Sequence, residues 1–399
     1  MKILVLNSGS SSIKFQLFRS DDWSVPAAGA VTRIGEPEAV LRCHWTDARG
    51  NAQTLEERAE MRDHQQGLQR IAGALARSGA LADPAELLAV GHRVVHGGEA
   101  FHAPTVVDDD IIAAIRQVIP LAPLHNPANL DGILVARALF PDTPQVAVFD
   151  TAFHQTMPRT AYRYAIPDHL YREHGVRRYG FHGTSHHYVG RRAAEWLGKP
   201  FEQCNLITLH LGNGASATAI REGSSLDTSM GMTPLEGLVM GTRCGDIDPA
   251  VPFYLSRQLG LDNRALEDLF NRQSGLLGLC GDNDLREIQR RAGAGDETAE
   301  LALGVTAHRL KKYIGAYLAE LGRTDALVFT GGIGENSAEL RARACGNLEH
   351  LGLRLDAEAN AAASSEERAV SAPESPIRIL VIPTNEELQI AREALAAVS

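Results

Sequence analysis

The chain has 399 residues, of which 44% are hydrophobic and 22% are charged, a composition typical of a soluble globular protein with about two domains. The formal net charge of −10 makes nucleic acid and anionic membrane surfaces poor general partners, although an anionic substrate still fits a local cluster of basic side chains. The five cysteines form no C-x-x-C pair, and no apolar run is long enough for a signal-peptide core or a membrane span. A cytoplasmic protein is therefore expected.

Apolar alternation predicts a β-hairpin at the start of the chain, with strands over 2–6 and 13–18 and a turn over 7–12. Apolar residues spaced by three and four predict helices over 54–79, 127–140, 184–197, 297–322 and 385–397. Strands over 145–149 and 326–329 alternate with these helices. This alternation favours an α/β fold with largely parallel sheets and a domain boundary near residue 150.

A second hairpin is predicted over 205–220, where Gly212-Asn213-Gly214 separates two apolar strands. Asn-Gly is typical of a type I′ hairpin turn, and such a turn also presents backbone N–H groups to a phosphate. Two hairpins of one type, far apart in the chain, indicate two related domains.

Another glycine cluster, Gly331-Gly332-Ile333-Gly334, follows the strand over 326–329. Glycines let a ligand approach the backbone and leave N–H groups for an anion. The Gly-Lys-Ser/Thr of a Walker A loop is missing, so this cluster alone fits a plain strand-to-helix turn as well as a nucleotide loop. With the 212–214 turn, it suggests that one turn from each of two domains faces a nucleotide.

Three cationic side chains, Arg93, His182 and Arg243, stand beside glycine or another small turn residue. Singly, such an Arg is more often a surface charge or ion-pair partner, and such a His is more often a packed structural group. Together they match phosphoryl transfer, which needs fixed positive charge and donors around phosphate oxygens. His182 and His186 lie four residues apart, but with no H-E-x-x-H glutamate and no third ligand a zinc site is not expected.

Two carboxylates stand where a metal–nucleotide complex is commonly held. Asp150 follows the strand over 145–149, and the sequence leaves open whether it meets such a complex or caps the next turn. Thr384 and Glu387 fit a capping box at the start of the last helix, which leaves Glu386 in the first helical turn to hold Mg²⁺ through water.

Nine motifs together resemble the acetokinase family, a branch of the actin, sugar-kinase and heat-shock chaperone superfamily. They cover essentially the whole chain in the family's order and approximate spacing: LVLNSGSSSIKF, GHRVVHGG, LAPLHNP, FDTAFH, RRYGFHGTSH, LHLGNGAS, DTSMGMTPLEGLVMGTRCGDIDP, FTGGIGENS and IPTNEEL. One of these motifs would be suggestive, whereas nine in order are highly specific.

The resemblance implies an α/β fold of two related actin-like ATPase domains, each a mixed sheet flanked by helices, with a nucleotide cleft between them. Residues 1–150 plus 385–399 would form the N-terminal domain on the acyl and phosphate side, and 151–384 the C-terminal nucleotide-binding domain. The resemblance also implies a homodimer, ATP/ADP and acetate/acetyl phosphate as substrates, and Mg²⁺ as the cofactor, with Mn²⁺ as a substitute.

Matched position by position, the resemblance assigns roles to individual residues of this sequence. The catalytic residues would be Asp150, His182 and Arg243. The metal positions would be Asn7 and Glu386. Substrate binding would involve Arg93, Val95, Leu124, His125, Phe181 and Pro234. Nucleotide binding would involve Lys14, His210, Leu211, Gly212, Asn213, Gly214, Asp284, Leu285, Arg286, Gly332, Ile333, Gly334, Glu335 and Asn336.

The implied reaction is reversible, Mg²⁺-dependent phosphoryl transfer from ATP to acetate. A carboxylic acid with a pKa of about 4 to 5 is already ionised at neutral pH, so the nucleophile needs no general base. Arg93 would hold the carboxylate, while His182 and Arg243 stabilise the group in direct in-line transfer. Asp150 would position the metal ion or a water molecule instead of acting as a base. A propionate kinase of the same family stays open, because one methylene changes binding by only ~1–3 kcal/mol. A nucleotide-switch ATPase is the alternative of another class, disfavoured because it needs no carboxylate clamp.

Overall fold

The structure is a computed structural model that describes residues 1–47, 49–123 and 125–399. Contacts within the chain divide it into two compact units. The first unit is Met1–Ala152 together with Asn385–Ser399, and the second is Phe153–Thr384. Within this described part of the chain, every helix is too short or too polar to cross a membrane.

The first unit is built on a mixed sheet, in which its described residues form eight strands. These strands are β1 Lys2–Gly9, β2 Ser12–Arg19, β3 Ala27–Thr32, β4 Ala39–Thr46, β5 Ala52–Ala59, β6 Leu87–Val94, β7 Thr105–Val106 and β8 Gln145–Phe149. Their order is β5-β4-β3-β2-β1-β6-β8-β7. Strands β1 to β5 pair antiparallel in succession, whereas β6 runs parallel to β1 and β8 parallel to β6. Parallel β1, β6 and β8 therefore end at one edge of the sheet.

The second unit has a sheet with the same plan, in which its described residues form six strands. These are β9 Asn205–Leu211, β10 Ala215–Arg221, β11 Ser224–Thr228, β12 Ala326–Thr330, β13 Arg368–Ala369 and β14 Arg378–Val381. The order β11-β10-β9-β12-β14-β13 joins an antiparallel meander to parallel β12 and β14, as β3-β2-β1-β6-β8 does in the first sheet. The predicted α/β fold with two related domains is confirmed. The expectation of largely parallel sheets is wrong, because both sheets are mixed and most of their described strand pairs are antiparallel.

Helices accompany both sheets. In chain order they are α1 His64–Arg77, α2 Asp109–Gln117, α3 Asn126–Leu139, α4 Arg159–Tyr162, α5 Asp168–His174, α6 Gly183–Leu197, α7 Val251–Leu259, α8 Asn263–Arg272, α9 Gly275–Cys280, α10 Leu285–Gly293, α11 Glu297–Leu321, α12 Gly331–Asn336, α13 Ala338–Cys345, α14 Ala357–Ala361 and α15 Glu386–Val398. The predicted helices over 127–140, 184–197, 297–322 and 385–397 correspond to α3, α6, α11 and α15.

Strand β1 separates two apolar cores because its side chains alternate between the sheet's faces. Leu4 belongs to the core that includes residues of α1 and α3. Ile3 and Val5 belong to the opposite core, which includes α15. Gly91 in β6 permits this approach, since a Cβ there would lie 2.9 Å from Ile390 Cγ2. The C-terminal helix thus completes the first unit.

Two local predictions are wrong in detail. The helix predicted over 54–79 begins only at α1, because Asp63 caps it by accepting from Gln66 N and the preceding residues alternate in exposure as strand β5. The first hairpin turn is shorter than 7–12, since β1 and β2 pair as far as Gly9 with Ser12 and leave a two-residue turn. Pairing across the strands extends the ladder into residues whose sequence alone is typical of a loop.

Candidate active site

The carboxyl edge of the first sheet carries four of the predicted site residues. Asn7 stands near the end of β1 and pairs with Lys14 on β2. Arg93 lies on β6, and Asp150 directly follows β8, where its N–H donates to Val94 O at 2.9 Å. Since parallel strands bring their carboxyl ends to one edge, residues distant in sequence become neighbours here.

Arg93 and Asp150 form an ion pair at this edge. Arg93 Nε donates to both Asp150 carboxylate oxygens at 3.0 and 3.1 Å, and Nη2 donates to Oδ2 at 2.8 Å. Burial raises the pKa of Asp150 and the Arg93 charge opposes that rise, while Asp150 raises the pKa of Arg93. Because the guanidinium donates to both oxygens, we assign Asp150 as the ionised carboxylate that orients Arg93. Within the described part of the chain, Arg93 Nη1 makes no hydrogen bond and remains for another anion.

Helix α3 holds the end of β1 and the residue that follows β6. Asn129 Nδ2 donates to Ser8 O at 2.7 Å, and Asn129 Oδ1 accepts from Val95 N at 3.0 Å. His125 occupies the N-cap position of this helix. Asn129 was not among the predicted residues, because its burial, which turns its amide toward backbone groups, is not visible in the sequence. The predicted pocket residue Leu124 lies outside the described residues.

In the second unit, the turn between β9 and β10 is not the predicted type I′ turn. Leu211 pairs with Ala215, which leaves a three-residue loop over 212–214, and none of its residues has a positive φ. Gly241 N donates to Asn213 O at 2.9 Å, and a Cβ at Gly241 would lie 1.9 Å from Asn213 Oδ1. This tertiary contact, rather than the local Asn-Gly preference, sets the turn.

Arg243 and His182 converge on Gly214 at this turn. A Cβ at Gly214 would lie 2.5 Å from Arg243 Nη2 and 3.5 Å from His182 Nε2. Arg243 Nη1 donates to Pro234 O at 2.6 Å, and no carboxylate of the described chain pairs with this guanidinium. Burial lowers the pKa of Arg243, but a guanidinium stays charged at neutral pH. A cation without a counter-ion and an imidazole edge therefore meet over one glycine, which suits them to an anionic oxygen.

His182 is held in an unusual backbone conformation. It takes the N-cap position of α6 with φ 56° and ψ 22°, in the left-handed region that non-glycine residues seldom adopt. Its ring stacks on His210 with centroids 4.3 Å apart, and its Nδ1 lies 2.9 Å from Ser216 Oγ. The preceding residue, Phe181, accepts at its carbonyl oxygen from His154 Nε2 at 3.0 Å. Burial lowers the pKa of His154 to about 4, so this ring is a neutral donor.

The loop that carries Arg243 is closed by Asp246 and anchored to α11. Asp246 Oδ1 accepts from Gly237 N at 2.8 Å, and Asp246 N donates to Gly237 O at 2.9 Å. Tyr313 OH donates to Asp246 Oδ2 at 3.0 Å, and Arg309 Nη1 donates to Gly237 O at 2.9 Å. None of these residues was predicted for the site, and the available signal was the position of Asp246 in the motif of Arg243.

The two glycine turns lie in the same unit, so the expectation of one turn from each domain is wrong. Parallel pairing of β9 with β12 sets Thr330 opposite His210 and places both turns at one sheet edge. Gly331 has φ 76°, and a Cβ there would lie 2.7 Å from Leu211 O, so this glycine serves strand packing. Gly332 has open space where a Cβ would stand, which permits a ligand to approach.

The remaining predicted nucleotide residues gather around the same turns. Leu211, Ile333 and Leu285 help to line one mostly apolar cavity, which brings both turns together with α10. Asp284 caps α10 by accepting from Arg286 N at 3.0 Å, and the two side chains form a surface ion pair.

The last residues of α12 form hydrogen bonds beside the second glycine turn. Glu335 Oε1 accepts from Thr384 N at 3.3 Å, and Asn336 Nδ2 donates to Gly332 O at 2.9 Å. Gly334 lies beneath them, buried where α12 follows β12. The predicted nucleotide residues of the second unit therefore form one continuous set, whereas Lys14 belongs to the first unit.

Comparison with known proteins agrees with these motifs. The acetokinase family model matches residues 2–392. The chain belongs to the acetokinase family. A curated acetate kinase of Syntrophobacter fumaroxidans is 53% identical over 399 residues, which cover all of this chain and 97% of the relative. A crystal structure of Porphyromonas gingivalis acetate kinase has a TM-score of 0.94 at 45% identity and covers 100% of both chains. A propionate kinase structure from Francisella tularensis has a TM-score of 0.91 at 43% identity and covers 98% of both.

A kinase of this family uses ATP, which implies a divalent metal ion. The residues at the first sheet edge fit an ion that takes most of its ligands from water and phosphate oxygens. Among residues 1–47, 49–123 and 125–399 there is no group of three His, Cys, Asp or Glu side chains that could hold a metal alone. Glu386 begins α15, and its Oε2 lies 3.9 Å from Arg93 Nε. The predicted capping box is wrong, because Asn385 caps α15 by accepting from Leu388 N at 3.0 Å. Glu386 keeps a partly exposed carboxylate suited to a hydrated cation.

Proposed function

We propose that this protein is an acetate kinase that reversibly transfers the γ-phosphoryl group of ATP to acetate. The observation that carries the proposal is the convergence of Arg243 and His182 on Gly214 in a chain of the acetokinase family. Phosphoryl transfer requires little more than positioning and charge stabilisation, and this turn offers both.

Arg93 is the proposed carboxylate-binding residue. Asp150 accepts from Nε and Nη2 of Arg93, so the guanidinium is oriented before the substrate binds. Acetate is ionised at neutral pH and attacks without losing a proton, because its pKa lies at about 4 to 5. Asp150 therefore acts in this proposal by orienting Arg93 and not as a general base. The proposed acyl pocket uses Val95, Phe181 and Pro234, together with Leu124 and His125.

The second unit supplies the proposed phosphoryl and nucleotide contacts. Arg243 and His182 would donate to equatorial oxygens of the transferred group, where charge changes in the transition state. The glycine turns would offer backbone N–H groups to the phosphates, since Gly332 leaves space for close approach. Asp284, Leu285 and Arg286 at the start of α10 would lie beside the nucleotide.

Mg²⁺, with Mn²⁺ as a substitute, is the proposed cofactor. When bound with the nucleotide, such an ion would neutralise charge on the phosphate oxygens. Glu386 and Asn7 would hold it through their carboxylate and amide oxygens, with water completing the hard-oxygen set. The partly exposed Glu386 side chain fits that role.

The test is an acyl-phosphate trap. The purified protein is incubated with MgATP and formate, acetate, propionate or butyrate, and acyl phosphate is captured with hydroxylamine. We expect acyl phosphate to form only when a carboxylic acid is present, with the highest kcat/KM for acetate. The Arg243→Ala variant should form no acyl phosphate. ATP consumption without acid-dependent trapping would refute a carboxylate kinase and favour the nucleotide-switch ATPase.

A propionate kinase is the second candidate, because the Francisella tularensis protein of that name aligns over nearly the whole chain. One methylene shifts specificity by ~1–3 kcal/mol, so an acetate kinase and a propionate kinase differ measurably in the ratio of kcat/KM for acetate to that for propionate. A kcat/KM higher for propionate than for acetate would support this alternative.

A homodimer in the cytoplasm is the proposed assembly and location. Helix α7 exposes Phe253, Tyr254 and Leu259, an apolar surface that a second copy would cover. The five cysteines are all free, as expected in a reducing compartment. Light scattering that gives the mass of one chain at micromolar concentration would contradict the dimer.

A further inference from the structure

Two histidines of the second unit share one buried hydroxyl group. Ser216 Oγ lies 2.9 Å from His182 Nδ1 and 2.8 Å from His186 Nε2. Ser216 and His186 are both fully buried, so water does not compete for these bonds. A hydroxyl group has one proton, and it donates to one ring nitrogen while it accepts from the other. The tautomers of the two rings are therefore coupled through Ser216.

Thr208 sets the direction of this hydrogen-bond chain. Its Oγ1 lies 2.7 Å from His186 Nδ1, and no other side-chain hydrogen bond joins this hydroxyl to the chain over 1–47, 49–123 and 125–399. Thr208 is fully buried. If its oxygen accepted from His186 Nδ1–H, its own O–H would be buried without an acceptor, which is unfavourable. Thr208 therefore donates to Nδ1.

His186 then has one proton to place. Burial lowers its pKa well below the usual value, so the ring is neutral. With Nδ1 accepting from Thr208, the ring proton stands on Nε2 and is donated to Ser216 Oγ. The Ser216 proton is consequently donated to His182 Nδ1.

We propose that Ser216 is a positioning residue that holds His182 as its Nε2–H tautomer. His182 Nε2 is the nitrogen that lies 3.5 Å from a Cβ placed at Gly214, on the side where Arg243 also points. The proton on this nitrogen is the one that a phosphoryl oxygen would accept. The inference rests on the proposed function, in which His182 stabilises the transferred group.

The tautomer matters because the opposite one would place a lone pair toward an anionic oxygen. A donor already aimed at the reacting oxygens needs no reorganisation during transfer. The residues of this hydrogen-bond chain lie on regular elements, since Thr208 is on β9, Ser216 on β10 and His186 on α6. Side chains fixed on strands and helices hold such an arrangement better than loop residues do.

Nitrogen NMR of the unmodified enzyme tests the tautomer directly. The protein is labelled with ¹⁵N-histidine, and the His182 ring signals are assigned by their loss in His182→Gln. We expect a protonated Nε2 and an unprotonated Nδ1 for His182 at pH 8. The reverse pattern would overturn the proposal, and this measurement holds even if a Ser216 variant does not fold.

Ser216→Ala tests the consequence for turnover. We expect kcat to fall about tenfold, as for the loss of one hydrogen bond. The KM values for acetate and ATP should stay within about twofold, and the His182 signals should report both tautomers. The matched control is Thr218→Val, which removes a buried hydroxyl from the same strand that bonds Thr228 and no histidine. This control should keep the kcat and the His182 tautomer of the unmodified enzyme.

Two outcomes separate this inference from the function on which it rests. An active enzyme whose Ser216→Ala variant keeps its kcat and its His182 tautomer would overturn the role of Ser216 and leave the acetate kinase proposal intact. An unmodified enzyme that forms no acyl phosphate would refute the proposed function. The nitrogen NMR would still decide the tautomer in that case.

Discussion

Gly214→Ala should disable catalysis without unfolding the protein. Gly214 does not have a positive φ, so alanine is compatible with its backbone. The added Cβ would lie 2.5 Å from Arg243 Nη2, whereas unstrained carbon contacts begin near ~3.5 Å. The flexible guanidinium is the part that yields, and it must retreat by about 1 Å.

The magnitude follows from that displacement. A misplacement of about 1 Å in a catalytic contact lowers turnover about 10²-fold, equivalent to ~2.7 kcal/mol of transition-state stabilisation. We expect the acetate KM to change little, because the proposed carboxylate site on Arg93 is untouched. The loss should appear in kcat and in kcat/KM alike.

The assay is initial-rate formation of acyl hydroxamate over a range of acetate and ATP concentrations, with thermal unfolding measured on the same preparation. Gly304→Ala on α11 is the control, since a Cβ there meets nothing within 4 Å. A Gly214→Ala enzyme with kcat within twofold of the unmodified enzyme and an unchanged Tm would refute the reasoning. A large fall in Tm would also contradict this reasoning, because the added Cβ would then destabilise the fold instead of displacing only the Arg243 side chain.

Four further predictions follow from individual contacts. Arg243→Lys should lower kcat about 10²-fold in steady-state kinetics, since an ammonium lacks the guanidinium fork, and a change confined to KM would contradict this. Asp150→Ala should lower the free energy of unfolding in urea by about 3 kcal/mol, because Arg93 loses its buried partner; an unchanged midpoint would count against the ion pair. Gly91→Val should lower both Tm and kcat, as its side chain would displace Ile390 and helix α15; a fully active, stable variant would exclude that packing role. EDTA should abolish turnover but leave Tm nearly unchanged, because no metal-holding cluster occurs among the described residues; unfolding by EDTA would reveal a structural metal instead.

Much of the fold was predictable because its determinants are local. The apolar run over 146–149 and the Gln145 before it match the bounds of β8, and the spacing over 297–322 matches α11 to within one residue. Both patterns indicate which faces of an element are buried, and the burial of apolar surface is the main contribution that stabilises the folded element. The motifs that predicted the acetokinase family are likewise short and contiguous, and that prediction is confirmed.

The candidate site was predictable as a set of residues but not as a set of contacts. Arg93 and Asp150 lie 57 positions apart, and parallel pairing of β6 and β8 makes them partners. The sequence left Asp150 between a metal contact and a cap, and the implied mechanism favoured positioning of metal or water, whereas the structure shows Asp150 bonded to the Arg93 guanidinium. The roles assigned to individual site residues stay predictions until the variants are measured.

The fold class, the family and the longest periodic elements follow from the sequence, because periodicity and short motifs are properties of neighbouring residues. The tertiary structure alone decided how the turns and rings are set. Asn213 takes its conformation from Gly241, and His182 takes its ring orientation from Ser216. Such choices depend on which atoms other strands and helices bring within about 3 Å, the range over which a hydrogen bond acts. Local propensity does not contain that information.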